Sequence, residues 1–279
     1  MAKKRNRNRS AKKQQAPAKR KFPKRYLAAF GSTITVAIVV FLSFHFGLIK
    51  TSGNSTNGSE ILVPAYIKPG SFTKISSSDL TGSGSVNVYF LSWKGCPIGA
   101  AESWIIYNFT RQYYSRNNYI VSVNHTSDPN DANPGTPGLL FSNLSFVYSG
   151  TDFNLRVAYV YGEYVNNTGV ALISSGSKIL NKTFPTSISK VMYEFETHVP
   201  LGSPISTPSA YEGGHLTTSI VVAGEKGTYL LEGYIFNPAD LKGYSPTEVM
   251  SSLDSGNNTF ASSIGSGTAY LESIVSLVN

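Results

Sequence analysis

The residues best suited to chemistry in this chain are Cys96 and Pro97, which follow an apolar segment ending at Trp93. Proline suits the first turn of a helix, so Cys96 is predicted to lie at a helix N-terminus. Unpaired backbone N–H groups and the positive end of the helix dipole favour a thiolate there. Lys94, two residues upstream, acts in the same direction. The pattern therefore nominates Cys96 as a catalytic thiol, with Pro97 and Trp93 in supporting roles.

A second interpretation of Cys96 remains open, because a free cysteine usually behaves as a small, buried, inert apolar residue. The two interpretations make opposite predictions. A redox thiol must be exposed and acidic, whereas a structural cysteine is buried and unreactive. Cys96 is the single cysteine of the chain, so the protein has no internal disulfide.

Other groupings of polar residues give weaker signals for a site. One loop concentrates oxygen ligands at Asp128, Asn130, Asp131 and Asn133. Their spacing does not match an EF-hand, and such residues beside proline are ordinary turn formers. Three histidines, His125, His198 and His215, lack the spacing of zinc ligands. We therefore expect neither a metal ion nor a cofactor.

The elements that would position Cys96 alternate between strand and helix patterns. The run SVNVYFLSW (85–93) predicts a buried strand, and the segment after Pro97 predicts a helix with one apolar face. Further strand-like runs are LLFSNLSFVY, FNLRVAYVYGEYV, KVMYEFETHV and TTSIVVAGEKGTYLLEGYIF, the last with a hairpin turn at 224–227. Capping residues open SPTEVMSSLDS, and TAYLESIVSLV has a helical pattern. The expected fold class is α/β.

The N-terminal 49 residues predict a membrane anchor. Residues 1–25 hold 12 of the 24 basic residues and no acidic one, whereas 26–49 contain no charged residue. A helix of that length spans roughly 36 Å, enough for a hydrocarbon core of roughly 30 Å. Because the basic residues flank its N-terminal side, that side is predicted to be cytoplasmic. A cleaved secretory signal is the alternative, but its apolar region would be shorter.

The topology divides the chain into four parts. Residues 1–25 form a basic cytoplasmic tail, 26–49 a single transmembrane helix, 50–60 a flexible linker and 61–279 an extracytoplasmic domain. The predicted location is therefore the cell membrane. The tail's charge serves topology and attraction to anionic lipid headgroups, so nucleic acid is not an expected partner. The sequence carries no signal for a particular oligomeric state.

Glycosylation motifs are frequent in the part predicted to lie outside the membrane. Acceptor Asn-x-Ser/Thr sites occur at Asn54, Asn57, Asn108, Asn124, Asn143, Asn166, Asn181 and Asn257. Such sites predict a glycosylated surface where the host has the machinery.

The segment from Cys96 to Trp104 resembles the archaeal family known as domain of unknown function 929, whose members look like membrane-anchored thioredoxin-like proteins. The family signature is Cys-Pro-x-Cys-Ala-Ala-Glu-x-Trp, and weaker similarity extends over most of residues 60–279. The resemblance implies an elaborated thioredoxin-like domain. Gly99 replaces the second cysteine of the signature, and no proline stands near Thr218, where thioredoxin folds place a cis-proline. The resemblance therefore implies a degenerate site.

Three functions remain open at this point. The first is a non-catalytic thioredoxin-like ectodomain that binds or maintains other envelope proteins beside the membrane. The second is a structural or adhesive cell-surface glycoprotein. The third is a monothiol oxidoreductase, which the loss of the second cysteine disfavours.

Overall fold

The structure is a computed structural model that describes residues 60–113, 122–165, 170–202, 206–256 and 258–279. The chain divides into two units, Met1–Asn54 and Ser55–Asn279, and all of the described residues belong to the second. The predicted cytoplasmic tail, transmembrane helix and nearly all of the linker lie outside the described residues. Within the described ranges, no helix combines the length and the apolar character needed to cross a bilayer.

The described chain alternates between strands and helices. The strands are β1 Thr73–Ser76, β2 Val86–Ser92, β3 Ser122–Thr126, β4 Pro137–Phe141, β5 Leu144–Tyr148, β6 Thr151–Tyr159, β7 Ser219–Gly224 and β8 Gly227–Glu232. The helices are α1 Pro97–Tyr113, α2 Val170–Thr183, α3 Thr186–His198, the single turn α4 Pro208–Tyr211, α5 Pro246–Ser255 and α6 Thr259–Val278. A 3-10 turn covers Pro238–Leu241. The fold class is α/β, as predicted.

A six-stranded mixed sheet organises the domain, in the order β1-β8-β7-β2-β6-β5. Strand β2 runs parallel to β6 and antiparallel to β7, and β7 pairs antiparallel with β8. The parallel pair β2 and β6 is joined by a crossover that contains α1. A separate hairpin, β3–β4, is inserted in that crossover. All seven residues of β2 are buried, which explains its continuous apolar sequence.

Helices cover both faces of the sheet, giving three layers. On one face, Phe90 of β2 and Ile220 of β7 pack with Trp104 of α1 and Leu271 of α6. On the other face, side chains of β2 and β7 pack with α2 and α3, including Phe195. Side chains alternate between the faces along each strand, so β2 supplies both cores.

The C-terminal helix α6 connects parts of the domain that are distant in sequence. The hydroxyl of Tyr270 accepts a hydrogen bond from the backbone N–H of Phe72 at 2.9 Å, and the two rings meet edge-on. At the far end of α6, the carbonyl of Val278 accepts from the N–H of Lys226 in the β7–β8 turn at 3.0 Å. These two hydrogen bonds join α6 to the residues before β1 and to the β7–β8 hairpin.

One predicted strand is wrong. KVMYEFETHV lies almost entirely within helix α3. Four buried residues of α3 recur at helical spacing and face the core shared with α2: Ile188, Val191, Met192 and Phe195. The β-branched and aromatic content predicted a strand, but the segment forms a helix because that conformation buries its apolar residues on one face.

Candidate functional site around Cys96

Cys96 lies where strand β2 passes into helix α1, as predicted. Its N–H donates to the carbonyl of Trp93 at 3.1 Å, and its carbonyl accepts from the N–H of Ala100 at 2.9 Å. Pro97 is the first residue of α1, where its missing N–H is not needed. Only 4% of Cys96 is exposed, so the thiol sits inside the domain.

A small hydroxyl network holds the thiol. The Sγ atom of Cys96 lies 3.1 Å from Thr218 Oγ1, which in turn lies 2.9 Å from Ser92 Oγ. The N–H of Gly99 donates to the sulfur at 3.4 Å. Burial raises the pKa of Cys96 to about 11, and the contacts with Thr218 and Gly99 offset this rise only in part. The thiol is therefore protonated at neutral pH, despite its place at a helix N-terminus.

Gly99, at the position of the missing second cysteine, has no room for a side chain. A Cβ atom there would lie 2.0 Å from Ser92 Oγ and 3.0 Å from Ser92 Cβ. It would also come within 3.2 Å of Thr218 Oγ1. The hydroxyl network that holds Cys96 thus fills the space of a second thiol.

Trp93 and the loop beside it close the site from one side. The Trp93 ring is buried and meets the ring of His215 edge-on at 5.7 Å. Gly95 is fixed between two loops: its N–H donates to Gly162, and its carbonyl accepts from the N–H of Asp128. Lys94 is exposed. These contacts give Trp93 a packing role.

The block after Cys96 connects α1 to two other parts of the fold. The indole N–H of Trp104 donates to the carbonyl of Pro137 at 2.8 Å, and Ser103 Oγ accepts from the N–H of Leu139 at 2.8 Å. Both bonds hold β4 against α1. Glu102 Oε1 accepts from the N–H of Ile235 at 2.6 Å and so fixes the segment after β8. The Glu-Ser-Trp part of the motif is therefore structural.

Glu102 is fully buried, and this raises its pKa to about 8. Its second oxygen, Oε2, has no hydrogen-bond partner among the described residues. A protonated carboxyl at neutral pH suits this environment, because no cation is paired with Glu102 in the described part of the chain.

Two further buried acids, Glu196 and Glu232, were not anticipated from the sequence. Glu196 lies on α3 and Glu232 ends β8, and both are at most 1% exposed. Glu196 accepts hydrogen bonds from the N–H and hydroxyl of Thr217, the residue before Thr218. The sequence offered little warning, since the two acids lie in elements that are far apart in the chain.

The oxygen ligands of the loop between β3 and β4 are bonded within that loop. Asp128 Oδ1 accepts from the N–H and side chain of Asn130, and Asp131 Oδ1 accepts from the N–H of Asn133. These are turns closed by their own side chains. The described residues contain no group of three or more ligating side chains.

A shallow cleft of about 340 Å³ opens beside this loop. His125 Nε2 lies 3.0 Å from Glu163 Oε2 in the cleft, without the alignment of a hydrogen bond. His198 lies on the surface of α3, where it pairs with Glu194. The cleft is separate from the Cys96 thiol, which its lining does not include.

The glycosylation motifs differ in their surroundings. Asn124, Asn143 and Asn181 are exposed. Asn108 is half-buried on α1, where its side-chain amide donates to Thr268 of α6 at 3.0 Å. The others, Asn54, Asn57, Asn166 and Asn257, lie outside the described residues.

Together these features define a three-layer α/β domain with one buried, protonated thiol at the strand–helix junction. The sequence matches the family called Domain of unknown function (DUF929) over residues 71–276, and the chain belongs to this family. No curated protein sequence and no solved structure matches it.

Proposed function

We propose that this chain is a single-pass membrane protein whose thioredoxin-like ectodomain binds or maintains other envelope proteins without thiol catalysis. Strand order supports the thioredoxin-like assignment. The central strands run β6-β2-β7-β8, with β6 parallel to β2, β7 antiparallel to β2, and β8 antiparallel to β7. Helices α1 and α6 pack on one face and α2 and α3 on the other. Cys96 lies at the β2–α1 junction, and Thr218 stands directly before β7, where a thioredoxin fold has its proline.

The observation that carries the non-catalytic role is the burial of Cys96 under Thr218. A nucleophilic thiol must be ionised and accessible, and this one is 4% exposed with its pKa raised to about 11. Ser92 occupies the space that a side chain at Gly99 would need, so no second thiol stands there to resolve a mixed disulfide. The fold supports a binding role, with its former reaction centre converted to packing.

Membrane attachment rests on the sequence of residues 1–49, with its basic tail and uncharged stretch. The test is alkaline extraction of membranes from cells that express the full chain or a chain lacking 26–49. Retention of the full chain and release of the truncated one supports the anchor. Release of both contradicts it.

The thiol itself is tested by iodoacetamide labelling of the full-length protein against pH. We expect negligible labelling of native Cys96 at neutral pH and full labelling after unfolding. Rapid native labelling with an apparent pKa below about 8.5, the value of a free thiol, favours a monothiol oxidoreductase instead.

The binding role is tested by the capacity of the protein to suppress aggregation of an unfolded client. Wild type and Cys96→Ala are compared, with thermal unfolding used to confirm that the variant is folded. Equal suppression by the two proteins supports a thiol-independent role. Activity that disappears with the thiol contradicts it.

A structural or adhesive glycoprotein is the second candidate, and the exposure of Asn124 and Asn143 favours it. It predicts that glycan removal abolishes attachment between cells. The first candidate predicts that client binding survives glycan removal.

A further inference from the structure

A pair of buried acids lies beside the segment that covers Cys96. Glu196 projects from α3, and Glu232 is the last residue of β8, in the face of the sheet that α3 covers. No described Lys or Arg forms an ion pair with either carboxyl. Two ionised carboxylates enclosed together without a cation are strongly disfavoured.

The hydrogen bonds of the two acids are unequal. Glu196 accepts the N–H of Thr217 at both carboxyl oxygens, each at 3.0 Å, and the hydroxyl of Thr217 at 2.9 Å. Neither oxygen of Glu232 meets a donor, and Ser219 Oγ, on the residue paired with it across β7 and β8, is also without a partner. Glu196 and Glu232 lie within hydrogen-bond reach of each other, so a proton carried by Glu232 and donated to Glu196 supplies the missing hydrogen bond.

The groups that face the pair from other elements do not replace that proton. Glu212, in the loop after α4, adds a further negative charge near Glu196. Tyr161, after β6, interacts with Glu196, but its hydroxyl is already engaged with Leu172 and Leu216. Burial raises the pKa of Glu212, and His215 offsets part of this rise; His215 is not among the groups that act on the pair.

The acid pair and the thiol are connected by two consecutive residues. Thr217 is bonded to Glu196, and Thr218 Oγ1 lies 3.1 Å from Cys96 Sγ. The carbonyl of Thr218 also accepts from the N–H of Gly233, the residue after Glu232. Both acids are therefore joined to the segment Thr217–Thr218, one by its side chain and the other through its neighbour in sequence.

We propose that a proton shared by Glu196 and Glu232 latches the Thr217–Thr218 segment over Cys96, and that its loss opens the segment and exposes the thiol. This inference goes beyond the proposed function, because it holds whether or not the exposed thiol reacts in the cell. Burial raises the pKa of Glu196 to about 7 and holds that of Glu232 well above its ordinary value. The latch is thus tightest in acid and weakens progressively as pH rises toward and above neutrality.

The direction of the pH effect follows from linkage. An acid whose folded-state pKa is raised binds its proton more tightly when the domain is closed. Its stabilisation is complete below the unfolded pKa of about 4.5 and is lost as pH rises through the folded value. Each proton released on opening changes the opening equilibrium by up to about tenfold per pH unit.

The experiment compares iodoacetamide labelling of Cys96 in full-length wild type and Glu232→Gln between about pH 6 and pH 9. Glutamine keeps the volume and donates its amide to Glu196 but has no proton to lose. The ratio of the two rates cancels ionisation of the thiol and of Glu102, which both proteins share. We expect the ratio of the wild-type labelling rate to the variant labelling rate to rise by up to about tenfold per pH unit above neutrality. A ratio that is constant over this range overturns the latch.

A second measurement keeps the proposal falsifiable if Glu232→Gln does not fold. The double variant Glu196→Gln/Glu232→Gln also preserves volume and has no proton to lose at either position, so it gives the same comparison. Infrared difference spectra of wild type minus the folded variant then report the shared proton directly. We expect a protonated-carboxyl band in this difference at neutral pH, because the band of Glu102 is common to both proteins and cancels. A difference spectrum without this band overturns the proposal.

Discussion

The hydroxyl of Ser92 occupies the space that a side chain at Gly99 would need, with only 2.0 Å between Ser92 Oγ and an added Cβ. Ser92 ends β2 and Gly99 lies in the first turn of α1, so the contact fixes the approach of helix to strand. The site is therefore closed to a second thiol by packing as well as by sequence.

Gly99→Ala tests this relationship. In an open helical position, replacing glycine by alanine stabilises by about 0.5–1 kcal/mol, but here we expect destabilisation of about 1–3 kcal/mol from overpacking. Gly265→Ala on α6, where an added Cβ meets nothing within 4 Å, is the matched control and should be stabilising. Urea unfolding measures both. Ser92→Ala should recover part of the loss, and simple additivity of the two changes would contradict the contact.

Thr218→Val removes the hydroxyl that contacts both Cys96 and Ser92 while keeping the shape of the side chain. We expect a loss of about 1 kcal/mol in unfolding free energy and a further rise in the Cys96 pKa, because the Thr218 contact lowers it. Ultraviolet absorbance of the thiolate measures the titration. A fall in the pKa would mean that Thr218 does not donate to the sulfur.

Glu102→Gln removes a titrating group and keeps the carbonyl that accepts from Ile235. Glu102 has its pKa raised to about 8, so its stabilisation is full below the unfolded value of 4.5 and is lost as pH rises through about 8. The variant should flatten the decline of unfolding free energy between about pH 5 and pH 8 by up to about 1.4 kcal/mol per unit.

The control for that experiment is Glu248→Gln. Glu248 caps α5, and its hydrogen bonds with Ser245 lower its pKa. Its stabilisation is therefore lost only as pH falls through the lowered value, so the variant leaves the slope above about pH 5 unchanged. Equal slopes in wild type and Glu102→Gln would refute the assignment of a protonated Glu102.

Trp104→Phe should destabilise the domain by about 2–4 kcal/mol, since it leaves the carbonyl of Pro137 unpaired and opens a gap in the core. Tyr211→Phe, at a residue that is 73% exposed, should change stability by less than about 0.5 kcal/mol. Denaturant midpoints compare them. Similar denaturant midpoints for the two variants would contradict the role of Trp104 in holding β4 against α1.

The glycosylation motifs separate by environment. In a host that modifies such sites, we expect Asn124→Gln and Asn143→Gln each to reduce the mass of the mature protein by one glycan. Asn108→Gln should leave the mass unchanged, because the Asn108 amide is engaged with Thr268 between two helices. Intact-mass measurement decides, and a glycan at Asn108 would contradict the packing of α1 on α6.

The sequence predicted those elements of the fold that depend on residues close together in the chain. The apolar run ending at Trp93 predicted β2, and Pro97 predicted the start of α1. The turn at Gly224–Gly227 and the capping box opened by Ser245 were also correct. Each of these depends on residues close together in sequence.

The surroundings of Cys96 could not be predicted in the same way. Helix-terminal chemistry favoured a thiolate, but the burial imposed by Thr218, 122 residues away, outweighs it. The meeting of Glu196 with Glu232 likewise depends on α3 packing against one face of the sheet. Helix α3 was predicted as a strand because its composition is typical of strands. Its buried residues recur at helical spacing, but that pattern becomes decisive only once the helix packs against the sheet.

The bond between Phe72 and Tyr270 has a consequence for biosynthesis. This hydrogen bond joins a residue before β1 to helix α6, and the carbonyl of Val278 accepts a hydrogen bond from the β7–β8 turn. The emerging chain therefore cannot reach its final form until α6 has left the ribosome. Until then, the apolar surfaces of α1 and the sheet that await α6 stay uncovered, which makes this interval the time of greatest need for a chaperone.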